Sequence, residues 1–111
     1  MDVTFRSKKL QKTCSNHREA LKAHGPNRGK RLLQRLLELR AADNLSQIPH
    51  TPPPRCHELT GNMKGTFSVD LDHPWRLLFV PNHDPVPKLP DGGWDLSAIT
   101  AVEITKIEDT H

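Results

Sequence analysis

Two hydrophobic periods divide the chain. Over the first forty residues the apolar positions recur at helical spacing: Leu10, Cys14 and Leu21 share one face, and Leu32, Leu33, Leu36, Leu37 and Leu39 form a wide stripe. Val3 and Phe5, flanking Thr4, read as a short opening strand. Gly25 followed by Pro26 predicts a joint, because glycine suits the residue after a helix and proline opens the next helix but cannot continue the last. The pattern therefore predicts a helical hairpin. Its first arm starts near Ser7; its second turns the leucines inward and leaves Arg28, Lys30, Arg31, Arg35 and Arg40 to solvent.

Asn44 to Pro54 reads as an extended linker rich in Pro, Ser and Thr. Beyond it the period falls to two. Phe67, Val69 and Leu71 alternate with Thr66, Ser68 and Asp70, the signature of a half-buried strand. Asp72-His73-Pro74 makes a turn into a more buried strand, Trp75 to Val80, so the two form an antiparallel hairpin. Arg55 to Leu59 is expected to pair on the other side of the first of these strands, through a loop holding Gly61 and Gly65. Pro81 to Trp94 holds four prolines and Gly92-Gly93, and is an excursion rather than a strand. Ile99 to Ile107 reads as a central strand. The expected class is α+β, with an N-terminal helical hairpin packed on one face of a mostly antiparallel sheet, in a single domain over residues 1–111.

Charge sharpens this picture. The chain has 111 residues, with 16 Lys plus Arg against 13 Asp plus Glu. Residues 1–40 hold eleven basic and three acidic side chains (11 − 3 = +8), and the remaining 71 hold five and ten (5 − 10 = −5). A basic first third is suited to a polyanion such as nucleic acid, although helices also carry Lys and Arg on wet faces with no partner at all. No apolar run approaches the roughly 20 residues of a membrane helix, and no secretory apolar segment opens the chain, so a cytoplasmic location and no membrane partner are the expectation. Cys14 and Cys56 lack a nucleophile motif, and His50, Cys56 and His57 lack the paired spacing of a zinc site. There is no glycine-rich nucleotide loop of the P-loop or Rossmann kind.

The suggestive chemistry lies in the sheet half. His57 sits on a strand before a glycine-bounded loop holding Lys64; Arg76 lies on the neighbouring hairpin arm; Asp109 and His111 end the last strand. Two histidines, an arginine, a lysine and an aspartate without metal spacing suit RNA cleavage. One side chain takes the 2′-OH proton, another protonates the leaving 5′-oxygen, and a cation stabilises the phosphorus oxygens. Plainer readings stand beside this one: Arg76 as a salt-bridge partner, Gly61 and Gly65 as turn residues, Trp75 and Phe79 as core.

In these same residues the chain resembles a known family. Arg55-Cys56-His57-Glu58-Leu59-Thr60-Gly61, Lys64-Gly65-Thr66-Phe67-Ser68-Val69, His73-Pro74-Trp75-Arg76-Leu77 and the ending Glu108-Asp109-Thr110-His111 are similar to HigB-type toxins, plasmid maintenance killer proteins of the RelE/ParE superfamily. Phe5-Arg6 and the leucine-rich helix extend the resemblance over nearly the whole chain. It implies a RelE-like fold and a type II toxin: a metal-independent, ribosome-dependent mRNA endoribonuclease that uses no cofactor. The implied partners are a helix-turn-helix HigA-type antitoxin, the ribosome and mRNA, with operator DNA reached only through the antitoxin. His57, Asp109, His111 and Arg76 correspond to catalytic positions, while Lys64, Arg55, Arg76 and Thr110 fall at RNA- or phosphate-binding ones. Thr60 replaces the family's lysine and Thr110 its tyrosine, so a base-stacking ring is missing there. Two other outcomes remain: a non-catalytic ParE-like inhibitor of a protein such as gyrase, and a degenerate toxin acting as an antitoxin-binding co-repressor.

Overall fold

In the computed structural model, residues 1–109 are described; Thr110 and His111, both singled out above, lie outside the described residues. The elements in chain order are β1 (Asp2–Phe5), α1 (Lys8–Thr13), α2 (His17–Ala41), β2 (His57–Glu58), β3 (Phe67–Asp70), β4 (Trp75–Pro81) and β5 (Ala101–Asp109). The strands form one sheet in the order β1-β5-β4-β3-β2. β1 runs parallel to β5 and the other three pairs are antiparallel, giving the α+β class and the mostly antiparallel sheet that the periods predict.

The first helical arm is divided where the apolar pattern predicts continuity. α1 ends at Thr13, where the Ser15 hydroxyl donates to the Lys12 carbonyl at 2.7 Å. Asn16 then caps α2, its side chain accepting from the Glu19 amide at 2.9 Å. Short polar side chains of this kind compete for nearby backbone groups, which stops one helix and starts the next. α2 is itself interrupted at Gly25, whose φ of 81° and ψ of 169° suit glycine alone. The interruption folds the His17–His24 arm back against the Pro26–Ala41 arm. A Cβ added at Gly29 would lie 2.9 Å from the Ala20 carbonyl oxygen, whereas nine residues of straight helix span about 13 Å. The Gly-Pro joint thus makes the helical hairpin where the sequence pattern predicts it.

Leu32, Leu36 and Leu39 meet Phe67, Val69, Leu77, Phe79, Val102 and Ile104 in a single core between α2 and one face of the sheet. Two positions on α2 depart from the expected pattern. Leu37 is 61% exposed, outside the stripe, and Arg35 is only 4% exposed rather than solvent-facing. Arg35 is satisfied by donating to the Asp70 carbonyl at 2.8 Å and to Glu38 at 3.0 Å, which is what makes burying its charge tolerable. Arg28 is also half-buried, paired with Asp72 and stacked 4.0 Å over the Trp75 ring.

The 44–54 linker is not extended throughout. Asn44 caps a short 3₁₀ turn, Leu45–Gln47, and Leu45 and Ile48 are drawn into the core. β5 begins at Ala101 rather than Ile99 and lies between β1 and β4. Its pairing with β4 slips by one residue: Phe79 faces Ile104, but Leu78 faces Lys106. Thr105 is the extra residue of this bulge, and its hydroxyl donates to the Leu78 carbonyl at 3.3 Å. Beyond the bulge Ile107 pairs with Leu77 on the core side, which turns Glu108 and its partner Arg76 to the face away from the helices.

Candidate active-site cleft

That outer face carries the candidate chemistry. Paired residues of an antiparallel ladder point to the same side. The ladders His57–Ser68–Leu78–Lys106 and Asp70–Arg76–Glu108 therefore share one face. Over them lies an open cleft of about 430 Å³, lined by Leu59, Thr60, Met63, Arg76, Leu78, Glu108 and Asp109. The loop between β2 and β3, a 3₁₀ turn over Gly61–Met63, forms one wall. Gly61, with φ 67°, and Gly65, with φ 92°, give this loop the left-handed turns that it needs.

Asp70 organises the cations. It accepts two hydrogen bonds from Arg55, at 2.7 and 3.0 Å, and lies 3.7 Å from the Arg76 Nε. The Asp70 carboxylate holds the Arg55 guanidinium above its ordinary pKa, through the hydrogen bonds first and the charge second. Arg55 has a left-handed backbone, φ 47°, uncommon for a residue with a side chain. Its carbonyl accepts a hydrogen bond from the His57 Nδ1 at 3.0 Å. Because a carbonyl can only accept, the proton is on Nδ1, and the neutral ring presents the Nε2 lone pair as the basic nitrogen. Glu108 is the register partner of Arg76, and its Oε2 is shielded from water with no hydrogen-bond partner among the described residues.

The fold brings some of the sequence-derived candidates together and separates others. Arg55, His57 and Arg76 share the outer face, but of these three Arg76 alone lines the cleft, and His57 borders a neighbouring pocket. Two strand spacings and two residues separate His57 from Arg76, about 12 Å between their Cα atoms, which two side chains and a phosphate can bridge. Lys64 is exposed at the end of the 3₁₀ turn and is not in the cleft lining. Asp109 borders the cleft while its register partner is Trp75, one position out of phase with Arg76 and Glu108. Sequence reasoning missed Asp70 and Glu108. Asp70 was legible from the hairpin turn centred on His73, because 70 and 76 are equidistant from it; Glu108 was not, because its place depends on the slipped register of β5.

The cysteines are structural: Cys14 and Cys56 are buried and free, and burial pushes both thiols up, that of Cys56 to about 11. No helix among the described residues is long and apolar enough to cross a membrane. Comparison with protein-family models and with curated proteins returns no match for this chain.

Proposed function

We propose that the chain is an endoribonuclease toxin of the HigB type, in the RelE/ParE superfamily, acting on translated mRNA. The observation that carries the reading is the open cleft on the sheet face away from the helices, where Arg76 lies beside the carboxylates of Glu108 and Asp109. There Arg76 is held by Asp70 beside Glu108, and His57 is on the same face with its basic nitrogen defined.

In the proposed reaction the neutral His57 Nε2 takes the proton from a ribose 2′-OH. The 2′-oxygen attacks the adjacent phosphorus and forms the 2′-O–P bond, and the P–O5′ bond breaks as the leaving oxygen is protonated. The products are a 2′,3′-cyclic phosphate and a 5′-OH. Arg76 offsets the negative charge that builds on the phosphoryl oxygens, a contribution of the oxyanion-stabilising kind. Asp109 and His111 are the proposed orienting group and acid; the family resemblance implies that they are catalytic positions, and this division of roles between them is part of the proposal. A helix-turn-helix antitoxin is the proposed neutralising partner, and the basic helices are the proposed attachment to ribosomal RNA.

The test is expression of the wild type and of His57→Ala, Arg76→Ala and His111→Ala forms in growing bacteria, with primer-extension mapping of mRNA ends. Growth arrest with new ribosome-dependent ends for the wild type, lost in the variants, is the expected result. Intact mRNA with blocked replication favours the gyrase-type inhibitor. No toxicity until Thr110→Tyr is introduced favours the co-repressor, since position 110 is where the stacking ring is absent.

A further inference from the structure

Beside His57, at the β2 edge of the sheet, lies a second pocket of about 260 Å³, lined by His50, His57, Glu58, Phe67, Trp94 and Leu96. The cleft above does not use it. Its walls are aromatic and apolar, and its size is just below the roughly 300–1,000 Å³ of pockets for drug-sized ligands, right for one ring system. Trp94 comes from the far end of the proline- and glycine-rich excursion, which a Lys88–Trp94 bridge closes on itself. The indole edge lies over Gly65, where an added Cβ would sit 3.9 Å from its Cζ2. Lys88 holds its ammonium 5.2 Å from the indole centre.

The polar groups of this pocket are arranged alike. His50 donates its Nδ1 proton to the Cys56 carbonyl at 2.7 Å, and His57 does the same to the Arg55 carbonyl at 3.0 Å. Each ring is thereby fixed in one tautomer, with Nε2 as the nitrogen left for a ligand. Glu58 accepts the Gly65 amide through Oε2 at 2.8 Å. A flat ring wall, two fixed acceptor nitrogens, a carboxylate and a neighbouring ammonium match one ligand chemistry: a nucleobase with its phosphate. The base stacks on the indole, its edge meets Nε2 or the carboxylate, and its phosphate meets Lys88.

We propose that this pocket is the nucleobase subsite of the protein, with single-stranded RNA as its ligand and Trp94 as the stacking platform. The proposal rests on the ribonuclease reading for its substrate class. It gives the excursion a function: the loop supplies an aromatic ring to a chain that has no tyrosine anywhere. A base seated against Trp94 brings the attached ribose to His57, whose ring borders the pocket and shares the face of the Arg76 cleft. Trp94 is then a binding and specificity residue, not a catalytic one.

The probe is a fluorescently labelled 2′-O-methyl RNA pentanucleotide, which cannot be cleaved, titrated against the full chain. The wild type is expected to bind with quenching of tryptophan emission. Trp94→Phe should retain most of the affinity, and Trp94→Ala should lose about five- to a hundredfold with loss of the quench. An equal urea midpoint for wild type and Trp94→Phe separates binding from folding. Unchanged affinity in Trp94→Ala overturns the proposal. So does protection of Trp94 by a co-purified protein with no RNA binding, which makes the pocket a protein-docking surface. Mapping of mRNA ends keeps the two readings apart. Cleavage at unchanged rate and sites in Trp94→Ala defeats the subsite and leaves the ribonuclease standing, whereas Trp94-dependent RNA binding without any cleavage defeats the ribonuclease and leaves the subsite.

Discussion

Asp70 holds two guanidinium groups at once, and its backbone carbonyl holds a third, that of the buried Arg35. Replacing its charge while keeping its shape separates electrostatic positioning from packing. Asp70→Asn is expected to lower stability by about 1 kcal/mol, the scale of a partly exposed ion pair, as read from urea unfolding. The same variant should lower the rate of mRNA cleavage by about ten- to a hundredfold, because a displaced Arg76 no longer meets the phosphate in place. An unchanged rate would remove Asp70 from the positioning of the site. A second residue sets a pH dependence. His24 has a buried Nε2 with no hydrogen-bond partner among the described residues, and burial first, then the nearby Arg28, hold its pKa below 6.5, with Asp72 opposing. The folded state thus binds fewer protons than the unfolded state as pH falls through 6.5, so stability is lost on acidification from there downward. His24→Leu is expected to flatten the stability curve below pH 6.5, measured by denaturant unfolding across the range.

Among the elements, the helical hairpin and β5 show what patterns reveal and what they hide. The Gly25-Pro26 joint was legible because it depends on two residues whose backbones are unlike all others. The break at Ser15-Asn16 was not, since it arises from side-chain bonds to the local backbone, and the apolar spacing runs through it undisturbed. Arg35 was misread for a related reason: position on a helical wheel does not disclose a partner supplied by another element, here the Asp70 carbonyl. The bulge was written in the chain as the step from Ile104 to Ile107, three residues where an even strand requires two. Trp94 and Glu108 could not be placed beforehand, because their surroundings depend on how a long loop and a slipped register come to rest. The hairpin itself makes a paired prediction. Alanine is the better helix former by about 1 kcal/mol, yet Gly29→Ala should destabilise by about 1–2 kcal/mol, since its Cβ would press on the Ala20 carbonyl. Gly25→Ala meets no neighbouring atom but is expected to cost about 1–3 kcal/mol through its backbone alone. Thermal unfolding of the two variants checks both, and a more stable Gly29→Ala would contradict the close crossing.

On the scale of the whole molecule, the charge division seen in the sequence is reshaped by the fold. Among the described residues, three of the eleven N-terminal cations form ion pairs within the chain: Arg6 with Glu103, Arg28 with Asp72 and Arg35 with Glu38. The surface left for a polyanion is therefore smaller than +8 suggests. Lys30 and Arg31 remain exposed on α2, bordering a groove with Asn27, Gln34 and Pro53. Neutralising both as Lys30→Gln/Arg31→Gln should reduce the salt slope of RNA affinity by about 1.4, at about 0.7 for each single-strand phosphate contact. Anisotropy titrations between about 50 and 200 mM salt measure it; an unchanged slope would place the RNA elsewhere.

The Thr105 bulge has one more effect, on how the protein can change over generations. It divides β5 into a half that answers to the core, Val102 and Ile104, and a half that carries Glu108 and Asp109. With an even strand, Glu108 would face the helices and Ile107 the solvent, so any alteration to the outer face would need a matching one inside. The slipped residue uncouples the two. Substitutions can accumulate at positions 106 and 108 under selection for a new target while the interior, and with it the ability to fold, is inherited intact.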